Sequence, residues 1–217
     1  LELFHRLTGD AHRSHTIHFI LIIPGIFLHE LSHWLVLRLL GVRCSLHLGI
    51  EMQANFVVYG HVDYYESDVG PVKHFLSGIA PLITGMLLIS LLAVQWMGIP
   101  GPGELARQEA VISLQSVSDT LRTWQFWLAF YLIFAITSEM VPSPSDRKYW
   151  LPLGLLLVGI LFVAVITRTS GWLFANLFPY INNWLKLMGV VFVIGMVPQL
   201  VFWLPFQLLK AFRRRNG

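Results

Sequence analysis

The sequence has little charge and almost no cysteine. Only 12% of its 217 residues are charged, whereas 55% are hydrophobic and the mean hydropathy is +0.64. A soluble domain of this length cannot bury so much apolar surface in one core, so the composition predicts an integral membrane protein. Because Cys44 is the only cysteine, an internal disulfide and a cysteine-rich metal site are also excluded.

The sequence also lacks the basic stripe of a nucleic-acid-binding protein. Its formal net charge is only +3, and Lys and Arg stand mainly at the ends of apolar runs, where they act as topology signals. With five crossings, one side of the membrane collects more Lys and Arg than the other, and that side carries the segment after the first span, the Asp146 region and the C-terminus. The positive-inside rule predicts that this side is cytoplasmic. No nucleic-acid partner is expected.

Five apolar runs approach the length of about 20 residues that crosses a hydrocarbon core of roughly 30 Å. They cover about residues 16–40, 75–97, 121–138, 150–166 and 185–209. Pro198 and Pro205 are expected to kink the last run, and residues 171–184 form either an interfacial segment or part of a sixth span. The predicted fold is an all-α polytopic bundle of five or six transmembrane helices, in a single integral membrane domain over residues 1–217.

A small β-hairpin is predicted between the first and second helices. Two stretches rich in valine and tyrosine, residues 56–59 and 62–65, flank Gly60 and His61, which are expected to form the turn. His47, His61 and His74 flank this hairpin and are interpreted as surface residues.

The first predicted span contains an H-E-x-x-H motif, formed by His29, Glu30 and His33. On a helix the two histidines lie on one face, one turn apart, where they can bind one zinc ion. Glu30 lies near the same face and can act as a general base towards water. A chance occurrence explains the motif poorly, because a glutamate inside a span costs roughly 2 kcal/mol or more unless it is paired or hydrated.

Two histidines leave a tetrahedral zinc ion short of one protein ligand. Directly after the third span, Pro142 and Pro144 cannot continue a helix, and the break can turn Asp146 towards the metal. Asp146 is therefore the predicted third ligand of one zinc ion per chain, and Glu139 is the alternative. In the competing interpretation, Asp146 lies in a cytoplasmic loop and pairs with a neighbouring basic residue.

Over roughly residues 16–166, the chain resembles the site-2 protease family of intramembrane metalloproteases. In that family the H-E-x-x-H helix is followed by a β segment, a helix with a Gly-Pro-x-x-Asn-like motif, and a helix with asparagine and prolines before a zinc-binding aspartate. The second motif is similar to residues 78–84 of this chain, and the third to Pro142, Pro144 and Asp146. The resemblance implies a metalloprotease core over residues 16–166, with one or more additional helices over residues 167–217.

The resemblance also implies a set of residues that hold the substrate. Thr84 and Ser138 stand where the family has asparagines. The implied substrate-binding residues are Gly78, Pro81, Thr84, Ser138 and Pro142. The segment 57–64 is expected to pair, as a strand edge, with a locally unwound substrate.

Together these observations predict an intramembrane zinc metalloprotease that cuts peptide bonds in or next to transmembrane segments of other proteins, with Glu30 as general base. His29 lies about midway along its span, so the active site is expected within the bilayer, towards the cytoplasmic side. The expected partners are the lipid bilayer, a transmembrane protein substrate and, since no PDZ or CBS domain is inserted, a regulatory membrane partner. Two alternatives are a catalytically inactive scaffold of the same fold and a zinc transporter, which needs metal-binding residues along several spans.

Overall fold

The computed structural model describes residues 9–52, 57–99 and 119–215, and this part of the chain is mostly helical. Two strands, β1 (Cys44–Met52) and β2 (Val57–Tyr64), separate the first two helices. The helices are α1 (Ala11–Leu39), α2 (Pro71–Trp96), α3 (Trp124–Glu139), α4 (Trp150–Ile166), α5 (Ser170–Asn176) and α6 (Phe178–Arg215).

Three helical segments are long and apolar enough to cross a membrane. They are His12–Leu39 in α1, Pro71–Trp96 in α2 and Phe178–Val201 in α6. Helices α3 and α4 have 16 and 17 residues, fewer than the about 20 that a crossing usually needs. The prediction of a helical protein with apolar helices of membrane-crossing length is confirmed for these three segments. The bundle of five or six spans stays a prediction.

The C-terminal helices differ from their predicted boundaries. Residues 171–184 fall in α5 and at the start of α6, and α6 is one helix of 38 residues that continues past Pro198 and Pro205. Most of the apolar side chains of α4 are exposed, among them Leu151 at 73% and Phe162 at 66%. Such surfaces suit contact with lipid, whose tails are as apolar as leucine.

The predicted hairpin is present, but the prediction of its turn was wrong. β1 and β2 form a two-stranded antiparallel sheet, in which Gly60 and His61 lie inside β2, opposite Leu48 and His47. Phe56 lies outside the described residues. The Gly-His pair suggested a turn, whereas a glycine inside a strand often marks a close approach by another part of the chain. Here the neighbour is Glu30 of α1.

Two apolar clusters hold these elements together. One joins α2, α3 and α6 around Ile89, Ile133 and Val191, all at most 1% exposed. The other fixes the hairpin to the end of α1 and contains Leu37, Val42, Cys44 and Val69. The hairpin is therefore packed against the end of the helix that carries the H-E-x-x-H motif.

Helices α1 and α3 meet at a backbone contact. A Cβ atom on Gly25 would collide with the carbonyl group of Ala135, so the absence of a side chain permits this approach. One turn further along both helices, His29 donates a hydrogen bond to the carbonyl oxygen of Glu139. The two helices therefore run parallel at this contact, and His29 lies beside the end of α3.

Candidate metal centre

Helix α1 presents His29 and His33 on one face, as the spacing of the motif predicts. Their ring centroids are 4.8 Å apart, and their Nε2 atoms lie 3.0 Å from each other. Only 13% of the His29 side chain and 11% of the His33 side chain are exposed. The two nitrogens therefore point into the same small, largely buried volume.

The segment between α3 and α4 brings Asp146 to these nitrogens. Its Oδ1 lies 3.3 Å from Nε2 of His33, and its Oδ2 lies 3.8 Å from Nε2 of His29. The backbone N–H of Ser143 donates to Oδ2 at 2.7 Å, which orients the carboxylate. The neighbouring Lys148 instead lies 4.0 Å from Glu66, and Arg147 donates to the carbonyl of Ser143. Among the described residues, Asp146 therefore contacts the two histidines and forms no ion pair with either adjacent cation.

Gly78 of α2 allows the Asp146 segment to come this close. A Cβ atom at position 78 would collide with the Asp146 carbonyl oxygen and would lie 3.1 Å from its carbonyl carbon. Real Cβ atoms need more room, so any larger residue at this position must displace the segment or the helix. The glycine of the second motif thus contributes to the position of the predicted third ligand.

Backbone carbonyls fix the orientation of both histidine rings. Nδ1 of His29 donates to the carbonyl of Glu139 at 2.7 Å, and Nδ1 of His33 donates to the carbonyl of Ser77 at 2.9 Å. Since a carbonyl only accepts hydrogen bonds, each Nδ1 carries the proton and each Nε2 keeps its lone pair. Metal-binding histidines in proteins are usually oriented in this way.

His29, His33 and Asp146 form a group that can hold a metal ion, since one ligand atom from each lies within 4.8 Å of the others. Zinc with bonds of about 2.0–2.1 Å would separate tetrahedral ligand atoms by roughly 3.3 Å. The Nε2 atoms are 3.0 Å apart, and the distances to Asp146 are 3.3 Å from His33 to Oδ1 and 3.8 Å from His29 to Oδ2, so separations that involve both carboxylate oxygens lie near that value. Two imidazole nitrogens and a carboxylate oxygen fit zinc, although the same donors also bind other transition metals.

Glu139, the alternative third ligand, contributes its backbone rather than its carboxylate to this group. Its carbonyl accepts the hydrogen bond from His29, and among the described residues the metal-binding group contains Asp146 and not Glu139. The geometry therefore favours Asp146.

Glu30 lies at the same place, in a cavity of about 670 Å³. The cavity is bounded by the metal-binding group, by one side of β2 and by the start of α2. The Glu30 side chain lies against Gly60 of β2, so the strand limits where the carboxylate can go. The β2 residues that line the cavity are Val58, Gly60, His61, Val62 and Tyr64.

The predicted substrate-binding residues do not all lie at this cavity. Gly78 lines it, whereas the described lining does not include Pro81, Thr84, Ser138 or Pro142. The hydroxyl of Thr84 lies 2.5 Å from the hydroxyl of Ser32. Pro142 lines a second cavity, of about 390 Å³, beside α6. A substrate-binding role for these residues stays a prediction.

His61 and His74 were interpreted from the sequence as surface residues, but both line the cavity. Nδ1 of His74 is buried, and Tyr64 lines the cavity together with this residue. Neither His74 nor Tyr64 belongs to a motif. Tyr64 reaches the site because the hairpin folds back over α1, and His74 reaches it from the first turn of α2. His47, by contrast, is exposed as predicted.

Comparisons with known proteins identify no relative of this chain. No family model matches it, and neither the curated proteins nor the solved structures contain a match.

Proposed function

We propose that this protein is an intramembrane zinc metalloprotease similar to the site-2 protease family. The observation that carries the proposal is a convergence of side chains beside Glu30. His29 and His33 come from a helix that is long and apolar enough to cross a membrane, and Asp146 comes from the segment after α3. Ionisable side chains at such a depth cost free energy, so those that occur in a membrane span usually have a function.

The proposed topology has five spans, with α3 and α4 as the two additional crossings. The parallel contact between α1 and α3 supports this arrangement, because a chain that crosses, returns through α2 and crosses again brings its first and third spans into the same direction. The exposed apolar side chains of α4 are also consistent with a helix in lipid. The excess of Lys and Arg on one side supports a location of the hairpin and the site towards the cytoplasmic side.

Zinc bound by this group supplies Lewis acidity, which makes water nucleophilic near neutral pH and polarises a peptide carbonyl. Glu30 accepts a proton from the water as its oxygen adds to the carbonyl carbon. The same residue then returns the proton to the amine nitrogen as the C–N bond breaks. Its position next to His29 and facing the cavity supports this role.

The proposed substrate is a transmembrane or juxtamembrane segment of another protein. A helix hides its carbonyls in internal hydrogen bonds, so the segment must unwind before it can be cut. β2 supports this step, since it lines the cavity and pairs with β1 along one edge only, within the two-stranded sheet of the described residues. We propose that its other edge binds the unwound segment. Proline at both Val58 and Val62 should then slow cleavage, and an unchanged rate would contradict the pairing.

The test is cleavage of a panel of single-span proteins by the purified protein in liposomes. Wild type should cut at least one of them, a zinc chelator should stop the reaction, and added zinc should restore it. Glu30→Gln should keep its zinc and remain inactive, whereas Glu51→Gln, a matched change at an exposed position of the hairpin, should cut normally. Bound zinc without cleavage of any substrate would favour the scaffold. Movement of zinc across the liposome membrane would favour the transporter.

A further inference from the structure

The carbonyl oxygen of the scissile peptide bond gains negative charge as water adds to the carbonyl carbon, and a hydrogen-bond donor aimed at this oxygen adds to the stabilisation that a metal ion supplies. The two positions where the family has asparagine do not supply one in this chain. The hydroxyl of Thr84 donates to the carbonyl of Ala80 at 2.8 Å and lies 2.5 Å from the hydroxyl of Ser32. The hydroxyl of Ser138 donates to a carbonyl of its own helix and accepts from Gln199. Neither residue lines the cavity of the metal group.

The serines that do line this cavity are engaged with one another or with the metal ligands. The hydroxyls of Ser143 and Ser145 are 2.6 Å apart, and Ser143 also accepts from the backbone N–H of Asp146 at 3.3 Å. The hydroxyl of Ser77 lies 3.2 Å from Nδ1 of His33. Ser77 and Ser143 therefore contact the proposed metal ligands, and Ser145 is engaged with Ser143.

Tyr64 is the remaining hydroxyl in the described lining. It is the last residue of β2, and its ring packs on the cluster that fixes the hairpin to α1. The hydroxyl lies 3.4 Å from Nε2 of His74, in the first turn of α2. The ring of His74 packs in turn against Tyr149, with 4.9 Å between centroids. Contacts with the hairpin cluster and with α2 therefore hold Tyr64 in the cavity that the metal-binding group also lines.

The buried nitrogen of His74 indicates which partner donates. Nδ1 of His74 is buried and has no hydrogen-bond partner in the described part of the chain. A buried N–H without an acceptor is rarer in proteins than an acceptor without a donor, so the proton belongs on Nε2. Nε2–H then donates to the oxygen of Tyr64 and leaves the Tyr64 O–H free for the cavity. A hydrogen bond accepted by a hydroxyl also strengthens the one that it donates.

The electrostatic surroundings keep Tyr64 a neutral donor. Burial raises the pKa of Tyr64, and the carboxylates of Glu66 and Asp146 raise it further. The hydrogen bond to His74 is long at 3.4 Å, as catalytic hydrogen bonds often are before substrate binds.

We propose that Tyr64 donates a hydrogen bond to the carbonyl oxygen of the scissile peptide bond, and that His74 positions the Tyr64 hydroxyl for this role. The proposal rests on the proposed proteolytic function. It makes Tyr64, on β2, a catalytic residue and His74, on α2, a positioning residue. Neither element contains the H-E-x-x-H motif.

The first test compares Tyr64→Phe with Tyr65→Phe. Tyr65 is adjacent in sequence, 73% exposed, and absent from the described lining of the cavity, so it is a matched control. Zinc content, kcat and KM are measured for both variants and for wild type on one cleaved substrate. Tyr64→Phe should retain its zinc and lose kcat by roughly 10²-fold, as expected for the removal of one such donor. KM should change little, because the contact strengthens only in the transition state.

The second test asks whether His74 acts through Tyr64. His74→Ala should lower kcat, and His74→Gln, which keeps an N–H donor at similar reach, should restore most of it. In a Tyr64→Phe background, His74→Ala should have no further effect on kcat. A purely structural role for His74 would instead lower activity in both backgrounds and would contradict the positioning role.

The outcomes separate the two proposals. A wild-type protein that cuts substrate in a zinc-dependent way, with a Tyr64→Phe variant of equal kcat, would overturn the role of Tyr64 and leave the protease standing. Loss of zinc from Tyr64→Phe would also overturn it, because the hydroxyl would then support the metal group. If wild type shows no zinc-dependent cleavage of any substrate, the proposed function fails and this inference fails with it.

Discussion

The metal-binding group of His29, His33 and Asp146 can be compared with a second set of two histidines and one aspartate, which lies on the hairpin. In the first group, Nε2 of His33 lies 3.3 Å and Nε2 of His29 lies 3.8 Å from a carboxylate oxygen of Asp146. In the second, His47 and His61 approach Asp63 at 3.3 and 3.6 Å. The residue types and these distances are nearly the same. What differs is the surroundings of the side chains.

Burial and anchoring separate the two groups. The Asp146 side chain is 12% exposed and the Asp63 side chain 64%. Both histidines of the first group donate to backbone carbonyls, which leaves their Nε2 atoms free for a metal ion. Nε2 of His47, by contrast, also lies 3.2 Å from the hydroxyl of Ser45. Among the described residues, only the first group brings three ligand atoms within 4.8 Å of one another. A metal site therefore requires fixed ring orientation as well as the right residues.

Removal of one ligand from each group should produce the largest difference. His33→Ala removes one of three protein ligands, so zinc bound to the purified protein should fall from about one ion per chain to nearly none. His61→Ala, the matched change in the hairpin, should keep its zinc. Metal analysis of detergent-purified protein measures both. Equal loss of zinc from the two variants would contradict the assignment of the metal to α1.

The next effect should come from Gly78→Ala, which leaves every ligand in place. The added Cβ collides with the backbone at Asp146, so the carboxylate should move and zinc affinity should fall by about 10- to 100-fold, as for other changes outside the ligands themselves. Competition with a chromogenic chelator measures the affinity. Gly154→Ala is the control, because a Cβ there meets nothing within 4 Å. Unchanged zinc affinity in Gly78→Ala would show that this close approach does not position Asp146.

A smaller effect is expected from Gln199→Leu, which removes side-chain hydrogen bonds between α6 and α3. Nε2 of Gln199 donates to the carbonyl of Phe134 and to the hydroxyls of Thr137 and Ser138. Polar contacts between membrane helices contribute about 0.6 kcal/mol each on average, so the loss of these three should be about 2 kcal/mol.

Thermal unfolding in detergent should therefore show a lower midpoint for Gln199→Leu than for Gln95→Leu, a control at an exposed position in α2. Equal midpoints would mean that the contact between α6 and α3 does not stabilise the fold.

The smallest effect should follow Asp63→Asn, which removes the charge at the centre of the hairpin group. Exposed ion pairs contribute about 0–1 kcal/mol, so the unfolding midpoint and the zinc content should stay close to those of wild type. A clear loss of stability or of zinc in this variant would give the hairpin group a role that its exposure does not suggest.

The comparison also shows what the sequence could predict. Because His29 and His33 are four residues apart, they lie on the same face of any α-helix, about one turn from each other. The prolines after α3 indicated that Asp146 could turn towards them, and the structure brings all three residues together. Helix geometry is local, so a motif within one helix is readable without knowledge of the fold.

Contacts between distant segments could not be read in the same way. β1 was missed, and Gly60 was assigned to a turn, because strand pairing depends on a partner elsewhere in the chain. The position of Tyr64 in the cavity depends on the same pairing and on the packing of the hairpin against α1, and the position of His74 depends on the packing of α2 against α1. Helix lengths also depend on context, and α3 has only 16 residues.

X-ray absorption at the zinc edge of the purified wild-type protein tests the central claim most directly. The account predicts a zinc ion with about four nitrogen and oxygen ligands at roughly 2.0–2.1 Å, and with the outer-shell scattering of two imidazoles. A sulfur ligand at about 2.3 Å would assign the metal to Cys44 and contradict the account. Zinc without imidazole scattering would equally exclude His29 and His33 as its ligands.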